Sequence, residues 1–288
     1  MTALFVGDVS WDTTVVVERL PEPDEKVHVG PFTEDVGGVV TNAAVACALA
    51  GVPVRLACPL PDDLPGRSAA AALASRGVAV EREAAAGTTC RVVVLLDPTG
   101  EKRLLLAPGA SMYPSRPAVA ALALDVDWVH TALYDHTAGG DLVARAVAAG
   151  VPCSVDLEPA TLRADPAALA PVLRACRTIF LNTRAAAVLP ARALAGLGVP
   201  EVVETLGAAG ARLTTPDGIV DVPAPAPARP VRDTTGAGDA LAGWYVAERV
   251  RGADPPDALR TAVTAASFSV GSVGASASYP TRALLGQA

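Results

Sequence analysis

Asp233-Thr234-Thr235-Gly236-Ala237-Gly238-Asp239-Ala240 leads into an apolar-periodic run, Leu241 to Val250, with no Pro and no Gly beyond Gly243. The spacing predicts a loop that turns into a helix N-terminus near Gly236. Small residues let backbone approach a ligand closely. The free N–H groups of the first turn and the helix dipole then favour an anion there. Asp239 repels such an anion unless it has a task, and proton abstraction from an attacking hydroxyl beside a transferring phosphoryl group is one. Dipole compensation by an acidic residue in a first turn explains Asp239 as well.

Upstream, short β-type runs alternate with helical ones. Strands are predicted at 128–131, 153–156, 179–181 and 202–205, and helices at 140–149, 166–173 and 184–189. This rhythm predicts an α/β fold, a doubly wound and mostly parallel sheet flanked by helices, with ligands at the carboxyl ends of its strands. A further helix is read at 266–273. Thr205-Leu206-Gly207-Ala208-Ala209-Gly210 leaves a strand through two glycines, which a tight turn alone explains equally well.

The first strand is read at Ala3 to Gly7. Thr13 to Val17 and the 27–32 stretch do not alternate with helices, so a small β flap beside the main sheet is expected. Residues 88–96 and 103–106 flank Asp97-Pro98-Thr99-Gly100 as a hairpin that would complete it. The flap strands thus fall near 13–33 and 88–107, within a single domain spanning 1–288. Gly37-Gly38 opens another helical run. Asn42 inside it offers a donor and an acceptor suited to a sugar hydroxyl, or caps and packs the helix. Leu60 to Gly66 reads as a charged loop.

Composition narrows the function. Of 288 residues, 51% are hydrophobic and 18% charged, which excludes a disordered chain. A net charge of −7 argues against nucleic acid and anionic membrane as partners. Five scattered cysteines without CxxC spacing read as reduced, buried thiols of a cytoplasmic protein. No signal peptide or membrane span is read. There is no GxxxxGK[ST], no protein-kinase motif set, no GxSxG elbow, and no metal spacing among His28, His130 and His136. His136 beside Asp135 follows a strand and is open to substrate contact.

The eight-residue string closely resembles the DTxGAGD signature of the ribokinase-like (PfkB) carbohydrate kinases. Gly37 to Asn42 resembles that family's GGxxxN segment, and Thr205 to Gly210 its TLGxxG segment. The resemblance runs from Gly7 to about Thr281. It implies a ribokinase-like fold and transfer of the ATP γ-phosphoryl group to a hydroxymethyl group of a small sugar. Asp239 would be the base, with Gly236, Ala237 and Gly238 as the anion hole. Asp12, Gly38 and Asn42 would bind the sugar. Asn182, Thr205, Gly207 and Gly210 would bind ATP, which brings Mg²⁺. Asp233 and Thr235 would hold a monovalent cation, K⁺, although capping of the loop explains both side chains too. The flap would pair two subunits into a homodimer.

The chain departs from the family at two points. Asn182-Thr183-Arg184-Ala185 puts Ala where NxxE has Glu, and Pro61 stands where GxDxxG has its first Gly. A nucleoside kinase, or a protein that binds sugar and nucleotide without reaction, stays open beside the sugar kinase.

Overall fold

The computed structural model describes residues 1–30, 32–97, 102–162, 166–227 and 229–286. Its central sheet is built from β1 (Ala3–Val6), β4 (Val54–Pro59), β5 (Val78–Glu83), β8 (Trp128–Ala132), β9 (Cys153–Leu157), β10 (Thr178–Asn182), β11 (Glu201–Thr205), β12 (Ala211–Thr215) and β13 (Gly218–Val222). The order is β13-β12-β11-β10-β9-β8-β1-β4-β5, parallel except where β12 and β13 run antiparallel at one edge. Strand order reverses between β1 and β8, so the crevice at their carboxyl ends is where a doubly wound sheet binds ligands.

β1 shows why the strands are short apolar runs. Ala3 and Phe5 enter one core and Leu4 and Val6 the other, on opposite faces of the sheet. On the first face lie α1 (Val39–Leu49), α6 (Ala237–Val250) and α7 (Pro255–Ser269). On the second lie α3 (His136–Ala148), α4 (Pro166–Ala175) and α5 (Thr183–Val188). A separate sheet, ordered β3-β2-β6-β7, contains β2 (Ser10–Val16), β3 (Phe32–Gly37), β6 (Cys90–Leu96) and β7 (Lys102–Ala107).

Several local expectations change. Residues 27–29 form no strand; the partner of β2 is β3, which pairs Val15 with Phe32 and Ser10 with Gly37 and runs straight on towards α1. Glu34 and Asp35 disguised it, because an edge strand tolerates charge on its open face. The Asp97–Gly100 turn lies largely outside the described residues, but β6 and β7 pair antiparallel on either side of it. The helix read at 266–273 is the end of α7. That helix starts eleven residues earlier, where Asp254 accepts from the Asp257 N–H at 2.9 Å, and it ends at Ser269 before Gly271 and Gly274. α3 begins at His136 rather than at 140, because Asp135 caps Thr137 and Ala138 N–H at 2.9 Å. The charged loop is in part the first turn of α2 (Leu64–Ser75). Asp63 accepts from the Gly66 and Thr89 N–H groups, both at 2.9 Å, and so ties the helix to the flap.

Candidate active site

The loop before α6 is held by its own side chains. Asp233, 1% exposed, accepts from Thr235 N–H at 2.8 Å and from Gly274 N–H at 2.9 Å. Gly236 takes φ +75° as the N-cap, and an added Cβ would lie 2.3 Å from the Tyr279 hydroxyl, so only glycine fits. That hydroxyl donates to the Gly236 carbonyl at 2.7 Å. Nothing lies within 4 Å of a Cβ built on Gly238. Gly238 therefore borders open space, while the Ala237 N–H donates to the Thr234 carbonyl at 3.3 Å.

Asp239 follows on the same turn. Its Oδ2 accepts from Asn42 Nδ2 at 2.8 Å. That contact depends on how closely two helices approach: a Cβ on Gly243 of α6 would lie 2.2 Å from the Ala43 carbonyl of α1. α1 is itself anchored by Asp8, just beyond β1. The Asp8 carboxylate accepts from Val39 and Val40 N–H at 2.9 and 3.0 Å, and its carbonyl accepts from the Thr41 hydroxyl at 2.6 Å. Gly38, at φ +111°, makes this possible, since a Cβ there would lie 2.8 Å from the Asp8 carbonyl.

Burial raises several carboxyls in the crevice, Asp239 among them. Burial, and then the charges of Glu158 and Asp8, push its carboxyl up to about 7, while the Asn42 bond and Lys102 act the other way. Burial raises Asp8 to about 7 as well, and Asp12 to about 6, with Asp35 adding to the latter. Asp156, on β9, stands well above the ordinary carboxylate range through burial and the charges of Asp239, Glu158 and Asp8. Tyr134, just past β8, donates to Glu158 at 2.5 Å. The crevice thus gathers several carboxylates around one helix start, and two of them, Asp239 and Asp8, are raised to about 7.

The other expected site residues fall into three places. Asp12, on β2 of the flap sheet, accepts from Ser10 at 2.5 Å and faces Gly37, where an added Cβ would sit 2.1 Å from its Oδ2. Thr205, Gly207 and Gly210 share one cavity of about 380 Å³ with Ala237 and Gly238. Asn182 stands beside Thr205 in register but caps α5, accepting from Arg184 and Ala185 N–H at 3.0 and 2.9 Å, and does not line that cavity. Thr235 Oγ1 is buried without a hydrogen-bond partner among the described residues. His136 turns away to the Thr161 carbonyl at 2.9 Å.

Asp8, Tyr134, Asp156 and Glu158 were given no individual role from sequence, and Gly37 only its place in the GGxxxN segment. The Gly7-Asp8 strand end was the one signal for Asp8. The role of Glu158 emerges only in the fold, because its neighbours Asp8, Tyr134 and Asp239 follow β1, follow β8 and stand on α6.

Among relatives, the chain is 29% identical over 284 residues to an ATP-dependent ribose-1-phosphate kinase of Halopiger xanaduensis, covering 94% of this chain and 93% of that protein. It is also 29% identical over 302 residues to a ribokinase of Arabidopsis thaliana, covering 97% and 78%. Among solved structures, ribokinase from Cryptococcus neoformans var. grubii, in complex with ADP, superposes with a TM-score of 0.83 at 23% identity, covering 99% and 98%. The sequence profile of the pfkB family carbohydrate kinases matches residues 2–282, from the first strand through the Asp239 helix and past Tyr279. With the match spanning the main sheet, the flap sheet and the helix that carries Asp239, the chain belongs to the pfkB family of carbohydrate kinases.

Proposed function

We propose that this chain transfers the γ-phosphoryl group of ATP to a hydroxymethyl group of a small sugar of ribose or ketohexose type. The observation that carries the reading is Asp239, held by Asn42 at 2.8 Å on the first turn of the helix whose Ala237 and Gly238 line the cavity. Ionised Asp239 takes the hydroxyl proton as the oxygen attacks the γ-phosphorus. The bond from phosphorus to the bridging oxygen breaks, and ADP leaves. The N–H groups of Gly236, Ala237 and Gly238 meet the negative charge on the transferring group. Asp12, Gly38 and Asn42 border the sugar, and Asp12 accepts from its hydroxyls. Thr205, Gly207 and Gly210 border the nucleotide.

Mg²⁺ would reach the site on the triphosphate, where it supplies charge neutralisation. The described residues contain no group of three or more His, Cys, Asp or Glu able to hold a metal, and Ala185 is fully buried. The unpartnered, buried Thr235 hydroxyl beside Asp233 suits a K⁺ ion. Phe32, Leu104, Leu105 and Leu106 on the flap's edge strands are 51–62% exposed, which supports a homodimer formed there, testable by light scattering.

The test of the main reading is ADP release from Mg-ATP across pentoses, ketohexoses, aldohexoses and nucleosides. Asp239→Asn should lower turnover on the accepted sugar by about two to four orders of magnitude. Turnover near the native level in that variant would remove Asp239 as base. The buried Ala185 favours a second reading, binding without reaction; calorimetry showing sugar and nucleotide binding with no ADP release would select it.

A further inference from the structure

The cavity beside Gly238 has a chemistry that bears on the phosphoryl donor, and the inference rests on the kinase reading above. Its volume of about 380 Å³ suits a nucleoside. Its walls are aliphatic, including Leu241, Val263 and Val270. Polar side chains in the lining are confined to the hydroxyls of Thr205, Thr234 and Ser267. A hydroxyl rotates and serves as donor or acceptor, so it meets an amino and a keto group alike. No carboxylate, carboxamide or cation of fixed polarity lines the cavity among the described residues.

The backbone on one wall is also poor in donors. Pro225 and Pro227, in the connector that follows β13, line the cavity and have no N–H. That connector is pinned: a Cβ on Gly210 would lie 2.1 Å from the Val222 carbonyl and 2.6 Å from the Ala224 nitrogen. Arg229 lies beyond Ser267 in a small adjoining recess. It offers donors only, which match the 6-keto oxygen of guanine or hypoxanthine and not the 6-amino group of adenine.

Strong rejection of a base needs a buried group of fixed polarity that the wrong base leaves unpaired; an apolar slot discriminates weakly. We propose that the slot reads shape and apolar surface, so that GTP and ITP serve as phosphoryl donors alongside ATP, within about tenfold in efficiency.

Competition against a fluorescent ADP analogue on the intact protein tests this without knowledge of the sugar. ADP, GDP and IDP should displace it with affinities within about tenfold, and Ser267→Ala should leave the GDP-to-ADP ratio unchanged within about threefold. Displacement by ADP with GDP and IDP more than about a hundredfold weaker would overturn this inference and leave the kinase reading standing. A change of more than about tenfold in the ratio on Ser267→Ala would overturn it too, because the slot would then read the base through that hydroxyl. Failure of every nucleotide to displace the probe would overturn the kinase reading and the inference with it.

Discussion

Replacing Asn42 by Ala should move the pH dependence of catalysis in a fixed direction. Asn42 donates to Asp239 Oδ2 at 2.8 Å and so stabilises the ionised carboxylate. A hydrogen bond to a charged group contributes about 1.5–3 kcal/mol, and one pKa unit corresponds to about 1.4 kcal/mol. Water admitted by the smaller side chain recovers part of this, so the Asp239 pKa should rise by about one unit from its value of about 7. The base works only when ionised. Activity is therefore lost as pH falls through that pKa, and the variant loses it at higher pH. The assay is kcat/KM against pH for both proteins across the neutral and alkaline range, which reports the free enzyme. Changed sugar affinity scales the height of the profile without moving its midpoint. The other charged groups acting on Asp239, namely Glu158, Asp8 and Lys102, are the same in both proteins. An acid limb that stays in place or moves to lower pH would refute the assignment of the Asn42 bond as support for the ionised base.

Other perturbations test separate parts of the account. Glu158→Gln removes a like charge that raises Asp239, so its acid limb should move below about 7, the opposite direction to Asn42→Ala. Gly243→Ala places a methyl group 2.2 Å from the Ala43 carbonyl, and overpacking of this kind should cost about 1–3 kcal/mol in denaturant unfolding. Glu201, 2% exposed, accepts from Arg177, Thr178, Tyr245 and Arg249 at 2.7–2.9 Å at the amino end of β11. Glu201→Ala leaves Arg249 unpaired and should cost about 3–5 kcal/mol; a loss under about 1 kcal/mol would show that the network is not stabilising. Thr235→Val should abolish activation by K⁺ relative to a K⁺-free assay, and undiminished activation would move the cation elsewhere.

The sequence by itself determined the parts whose physics is local. Short apolar runs alternating with helical ones imposed the parallel sheet, because each strand buries both faces. Gly236 to Asp239 announced a helix start, and the structure caps α6 at Gly236. Cap geometry that depends on one nearby side chain, as at Asp135 and Asp254, lay in the sequence but was overshadowed by glycine pairs and small-residue runs. β3 was hidden because its charged residues are tolerated only at the edge of a sheet that sequence does not display. The tertiary structure alone decided which groups meet Asp239. Asn42 lies 197 positions away and reaches it because Gly243 lets α1 and α6 touch backbone to backbone. Asp8 and Glu158 act on it because β1 and β9 end in the same crevice. A carboxyl pKa near neutrality is a property of that convergence: burial and like charge arise from neighbours in space, whereas spacing along the chain sets only the helix on which the carboxylate stands.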